Sequence, residues 1–198
     1  MDNKRKDIME AASMLFLQKG IKATTVEEIA KKCHISKKTF YYFFVDKEVV
    51  IIEIVQNLIN KTDRQLRMLP DISPNASSEL ISFFHYLQSN IYVFNALFMS
   101  DLKKYYPNIH NLFLQDRKNK LIPFFIKNIE RGILENIYRT NLDSRLTAEL
   151  YFLQLDNVID NTDITEDERY AIIYYINSFF LHGIMNKFGL KLAITHFN

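Results

Sequence analysis

Apolar residues recur at helical spacing along nearly the whole chain, and polar punctuation cuts that pattern into short segments. Ile8, Ala11, Ala12, Leu15 and Phe16 predict a first helix over about residues 4–19, with Gly20 as its C-terminal stop. Thr24 opens a second helix, and Glu27 three residues on completes a capping box in which each side chain satisfies a free backbone N–H. Val26, Ile29, Ala30 and Cys33 supply its apolar face. A three-residue turn, Cys33-His34-Ile35, leads to Ser36, an N-cap for a third helix over about residues 37–43. Asp46 caps a fourth, with Val50, Ile54 and Leu58 four residues apart, running to about Leu69.

Pro70 and Pro74 mark the clearest loop, and beyond it every segment again reads as helix. Residues 76–89 carry Leu80, Phe83, Phe84 and Leu87, and residues 90–99 carry Ile91, Phe94, Leu97 and Phe98. Pro107 stops or kinks what precedes it. A long pattern from Ile109 to about Asn136 contains Pro123, which should bend it by removing one backbone hydrogen bond. Leu146, Leu150, Leu153 and Val158 define another helix, and Tyr170 to about Phe188 a last one with Gly189 beyond it. The expected fold is all-α, with about nine helices.

Composition narrows the class. Of 198 residues, 25 are basic and 23 acidic, so any nucleic-acid surface must be local. Residues 1–50 hold ten basic and seven acidic side chains, a modest excess at the end with the shortest helices. The single cysteine, Cys33, excludes a disulfide framework and reads as a small core residue. The N-terminal residues carry no long apolar stretch, and the most apolar run, Val49 to Val55, is interrupted by Glu53. No secretion signal or membrane span is expected, and the location expected is cytoplasmic. His34, His85, His110, His182 and His196 show no metal-ligand spacing, and no nucleophile–base pair or phosphate loop is visible. No catalytic residue, metal or cofactor is expected.

Two short helices joined by a tight turn, the second capped by Ser and studded with Lys, Thr and Tyr, suggest a helix-turn-helix reader of duplex DNA. Ile35 and Phe40 can anchor the reading helix while Lys37, Lys38, Thr39 and Tyr41 face outward. Lysines at a helix N-terminus oppose the helix dipole, which is unusual unless an anion is to be met there. Thr25 can offer its hydroxyl and N–H to a phosphate, and Lys47 can reach the backbone on the other side of the groove. Of Tyr41 and Tyr42, one is expected to be partly core and Tyr41 to be the phosphate-facing hydroxyl. Lys4, Arg5 and Lys6 read equally as a disordered start or a DNA-touching arm.

The order and spacing of Ala11-Ala12, Leu15-Phe16, Lys19-Gly20, Thr24 to Ala30, Ile35 to Phe44 and Asp46-Lys47-Glu48 resemble the tetracycline-repressor (TetR) family over roughly residues 5–50. The resemblance implies a bacterial homodimeric transcriptional regulator, usually a repressor, with a helix-turn-helix domain at residues 1–47. A larger helical bundle at 48–198 would bind a small-molecule effector and dimerise. By motif position, Thr25, Ser36, Lys37, Lys38, Thr39, Tyr41, Tyr42 and Lys47 would meet the DNA. Three positions depart from the family pattern. His34 stands where Gly is usual, but His tolerates a left-handed backbone; Lys38 replaces a small residue or proline, and Phe43 a His or Tyr.

Tyr170, Ile173, Tyr174, Ile176, Phe180, Leu181, Ile184, Met185 and Phe188 spread round more than one helix face, which implies a second burial surface. A four-helix dimer interface through residues of about 144–160 and 166–188 would supply it. Some of Phe83, Phe84, Tyr86, Tyr92, Phe94, Phe98, Tyr105 and Tyr106 are expected to line an effector cavity. The alternative is a helical DNA-binding protein without an effector, whose large domain has a filled core and binds a protein partner.

Overall fold

The computed structural model describes residues 2–90 and 95–194. Within them the periodicity resolves into α1 (Asp2–Ala23), α2 (Val26–Lys32), α3 (Lys37–Phe43), α4 (Lys47–Ile72), α5 (Ala76–Asn90), α6 (Ala96–Tyr105), α7 (Pro107–Asp116), α8 (Ile122–Leu134), α9 (Ser144–Asp160), α10 (Glu166–Ile184) and α11 (Lys187–Ile194). No strand occurs among the described residues, which hold one isolated bridge, Tyr138 to Met185. The all-α expectation holds. Ile91, Tyr92, Phe94 and His196, singled out above, lie outside the described residues.

Several boundaries differ from the sequence reading, each for a local reason. Gly20 interrupts α1 at φ 83, ψ 164, and the helix resumes beyond it to Ala23. A side chain there would strain the backbone and put its Cβ 2.6 Å from a carboxylate oxygen of Asp101. Thr25, not Thr24, caps α2. The Thr24 hydroxyl is buried and donates to the Gly20 carbonyl at 2.7 Å, so it is unavailable for capping. Helix α4 continues through Pro70 to Ile72 rather than ending at Leu69.

Residues 117–121 form a π-helical turn between α7 and α8, and the Ile122 N–H bonds back to the Arg117 carbonyl. The widened turn lets the helix run on past Pro123, which lacks an N–H and would clash with a regular preceding turn. Gly189 lies inside α11, an additional helix, rather than beyond the last one.

The chain forms two compact units, one of residues 1–61 and 92–114, the other of residues 62–91 and 115–198. In the first, Ile8, Phe16, Ile29, Phe40, Phe44 and Val55 are buried with Phe98 and Leu102 of α6. Phe16 and Phe98 stack at 6.4 Å, the Asn95 amide donates to the Leu17 carbonyl at 2.6 Å, and Asp101 accepts from the Lys22 N–H at 2.8 Å. Helix α6 thus belongs to the core of the N-terminal helices.

The second unit is built round Phe125. Its ring stacks on Tyr151 at 4.8 Å and meets Phe152 and Phe83 edge-on at 4.9 and 5.5 Å. Phe84 and Phe180 complete the cluster. Two buried phenols reach partners, Tyr151 to Asn177 at 2.9 Å and Tyr138 to Asn128 at 3.2 Å. Burial raises both phenol pKa values.

Candidate nucleic-acid interface

Thr25 and Glu28 make a reciprocal capping box at the start of α2, one residue later than the Thr24–Glu27 pair expected from sequence. The Thr25 N–H and hydroxyl both donate to Glu28, at 2.8 and 2.9 Å. Lys19 donates to the other carboxylate oxygen, and these contacts hold the Glu28 pKa down at about 2. At the far end of α2, His34 takes φ 53. Its N–H bonds to the Lys31 carbonyl at 3.1 Å and that of Ile35 to Ala30 at 3.0 Å. This is the Schellman arrangement, so the turn forms with His at the left-handed position where glycine is favoured.

Ser36 caps α3, its hydroxyl accepting from the Thr39 N–H at 3.0 Å and sharing a hydrogen bond with the Thr39 hydroxyl at 2.9 Å. Phe40 and Phe44 are fully buried with their rings 5.8 Å apart, and they fix one side of the helix. At about 100° per residue, positions 38 and 42 fall opposite Phe40, while 37 and 41 lie beside it, because same-face neighbours on a helix are three and four residues apart. All four are exposed, Tyr41 by 53% and Tyr42 by 68%. Neither tyrosine is core, contrary to the expectation that one would be. The Tyr41 ring stands edge-on to the buried Phe40 ring at 5.5 Å.

Besides Thr25 and the Ser36–Thr39 pair, two expected lysine contacts are engaged within the protein. Lys37 pairs with Glu27 at 2.7 Å, which raises the lysine pKa and lowers that of the glutamate. Lys47 is half-buried; its ammonium donates to the carbonyls of Ile21 and Thr24, each at 2.7 Å, and burial lowers its pKa. It therefore ties the start of α4 to the end of α1. Lys38 is exposed on the outward face.

Glu27, expected to cap α2, instead pairs with Lys37, and Glu28, for which no role was expected, takes the capping place with Thr25. The basic trio is not a disordered start: it lies in α1, where Lys4 pairs with Asp7 at 3.9 Å and Lys6 with Glu10 at 3.7 Å. Cys33 is half-buried, with its thiol 3.6 Å from the Asp7 carbonyl and its pKa raised by burial.

Among the described residues, no group of three or more His, Cys, Asp or Glu side chains could hold a metal ion, and no helix is long and apolar enough to cross a membrane. In the second unit an open groove of about 340 Å³ is lined by Leu66, Pro123 and Phe124 together with Arg67, Lys120 and Arg131. Phe83 and Phe84, expected beside a cavity, fill the ring cluster, and Phe98 fills the core of the first unit. The outer faces of α9 and α10 are apolar: Leu146, Leu150 and Leu153 on one, Tyr174, Tyr175 and Phe179 on the other, all exposed.

The family model for bacterial regulatory proteins of the tetR family matches residues 8–54, the stretch that holds this interface. An uncharacterized HTH-type transcriptional regulator of Bacillus subtilis, YuxN, is 45% identical over 62 residues, which cover 31% of this chain and only 21% of that protein. The HTH-type transcriptional repressor KstR2 of Mycobacterium tuberculosis is 23% identical over 152 residues, covering 72% of this chain and 73% of the repressor. Its solved structure, described as a ketosteroid transcriptional regulator, superposes with a TM-score of 0.72 at 18% identity, over 94% of this chain and 97% of that one. The fatty acid metabolism regulator protein of B. subtilis is 23% identical over 93% of this chain and 97% of its own length. These relatives are transcriptional regulators rather than enzymes, and the exposed face of α3 lies in the stretch that the family model matches. The helix-turn-helix region, residues 8–54, thus belongs to the TetR family of DNA-binding transcriptional regulators.

Proposed function

We propose that the protein is a cytoplasmic homodimeric repressor that reads a palindromic operator with α3 and is released by a small-molecule effector. Residues 1–47 carry the reading and residues 48–198 the effector and the partner subunit. The observation that carries this reading is the division of α3 into a buried side, Phe40 with Phe44 behind it, and an exposed side of Lys37, Lys38, Tyr41 and Tyr42. Such a helix is anchored from behind and free to enter a major groove. Thr25, Ser36 and Thr39 stand at the two helix N-termini, and a phosphate meeting them there would displace the bonds from Thr25 to Glu28 and between Ser36 and Thr39. Lys47 serves the contact mainly by holding α4 against the end of α1, with its remaining donor available to a phosphate. The partner subunit covers the apolar faces of α9 and α10, placing two reading helices about 35 Å apart on one face of the duplex.

The effector reading rests on the relatives and on one groove. Relatives named for ketosteroids and fatty acids direct the search to lipophilic compounds, and the groove beside Phe124 combines apolar walls with Arg67, Lys120 and Arg131, which pair with Asp63 and Glu79 of the same lining. The effector-free reading draws support from the filled ring cluster round Phe125. A thermal-shift screen with steroids and fatty acids separates the two.

The test of the DNA reading is selection of duplexes from a random pool, followed by salt-dependent binding of Lys37→Ala and Tyr41→Phe. Loss of one phosphate contact lowers the slope of log affinity against log salt by about 0.9. Binding of wild type to a selected duplex, weakened by both substitutions, is expected. Unaltered affinity in both variants would remove these assignments.

A further inference from the structure

A reading helix of seven residues has two turns and few contacts with which to hold its angle. Its buried anchors, Phe40 and Phe44, resist withdrawal but leave rotation about the anchor to other contacts. One side chain from outside the helix-turn-helix supplies such a contact. Arg5, on α1, donates Nη1 to the carbonyl of Phe43, the last residue of α3, at 2.6 Å. The same guanidinium donates Nε to Glu53 of α4 at 3.1 Å and Nη2 to the other Glu53 oxygen. Its plane lies over the Phe44 ring, with the central carbon 4.2 Å from the ring centroid.

We propose that Arg5 is a positioning residue, fixing the orientation of the reading helix by tying its last turn to α1 and α4 without itself touching DNA. Three features support the assignment. The carbonyl at Phe43 is one of the terminal acceptors a helix cannot satisfy internally, and a cation there also complements the negative end of the helix dipole. The planar fork meets carboxylate, carbonyl and ring at once, which an ammonium cannot do. Finally, all of these contacts lie within the first unit, so the tie is local to the reading module. Lys4 and Lys6, its neighbours, form ion pairs along their own helix, with Asp7 and Glu10.

The inference rests on α3 being the reading helix, and the experiment separates the two. Full-length protein is titrated against a duplex selected by wild type and against a scrambled duplex of equal length, over a range of salt. For Arg5→Lys, affinity for the selected duplex should fall about tenfold, the size of one lost base contact. Scrambled-duplex affinity and both salt slopes should stay as in wild type, because no phosphate contact is removed. A slope lowered by about 0.9 would make Arg5 a phosphate contact and overturn the proposal. Equal losses on both duplexes would mean general loosening, and no loss on either would mean no role; each overturns it as well. Should Arg5→Lys fail to fold, Glu53→Ala, which removes the second anchor of the tie, carries the same readings. Wild type that binds no duplex refutes the DNA reading itself, whereas wild type that binds while Arg5→Lys matches it refutes only the role of Arg5.

Discussion

Replacing Gly189 by alanine sets two effects of opposite sign against each other. In an open helix the change stabilises by about 1 kcal/mol, because glycine loses more backbone freedom on folding. In α11 the added Cβ falls well inside contact distance of the Ile137 carbonyl oxygen, 3.0 Å from Ile137 Cγ2 and 3.2 Å from its carbonyl carbon. That carbonyl cannot swing away freely, since it accepts from the Asn186 N–H at 3.0 Å. Nor can α11 retreat alone. Asn186 caps it, accepting from the N–H groups of Phe188 and Gly189 at 2.9 Å each, while its amide donates to the Asn136 carbonyl at 2.8 Å. Separating the two backbones therefore strains one or more of these bonds. Overpacking of this kind costs about 1–3 kcal/mol and a weakened hydrogen bond about 1 more. The steric side wins, leaving a net loss of about 1–3 kcal/mol and a fall in Tm of about 2–12 °C for a chain of this size. Thermal melting followed by far-UV circular dichroism reads it directly. A Gly189→Ala protein that melts at or above the wild-type temperature would refute the close approach of α11 to residue 137.

Lys47→Met should lower stability by about 2 kcal/mol, the worth of two charge-assisted hydrogen bonds discounted for solvent reaching a half-exposed ammonium; chemical denaturation that shows no loss would return Lys47 to a purely DNA-facing role. The Glu28 carboxyl, held at about 2 against an ordinary 4.5, contributes stability that is fully present above pH 4.5 and is lost as the pH falls through about 2. Glu28→Gln should flatten that part of the acid-unfolding curve, and a curve parallel to wild type would contradict the capping network. Phe179→Lys, placed on the outer face of α10, should leave monomer stability within about 0.5 kcal/mol but shift the species in sedimentation from dimer to monomer. A dimer that persists would put the partner subunit on another face.

The helices and the reading motif could be read from the chain because their causes are local. Period, caps and turn residues act over three or four positions, and Ser36 and Asp46 cap where expected. The same short range explains the errors. Thr24 and Thr25 each have a glutamate three residues on, so the two capping registers are equal in sequence. Burial of Thr24 against the Gly20 carbonyl selects Thr25. Tyr41 and Tyr42 are adjacent aromatics that either side of a helix could bury, and the packing of Phe40 with Phe44 turns both outward.

Other features depend on partners far along the chain. Asp101 at the Gly20 break, Arg5 at the end of α3 and Ile137 against Gly189 join residues separated by tens of positions. Local propensity assigns such residues an element but no direction for their side chains. Which of several apolar faces and charged groups meet is settled only by the joint packing of all the helices, where desolvation and steric fit discriminate between pairings that composition leaves equivalent.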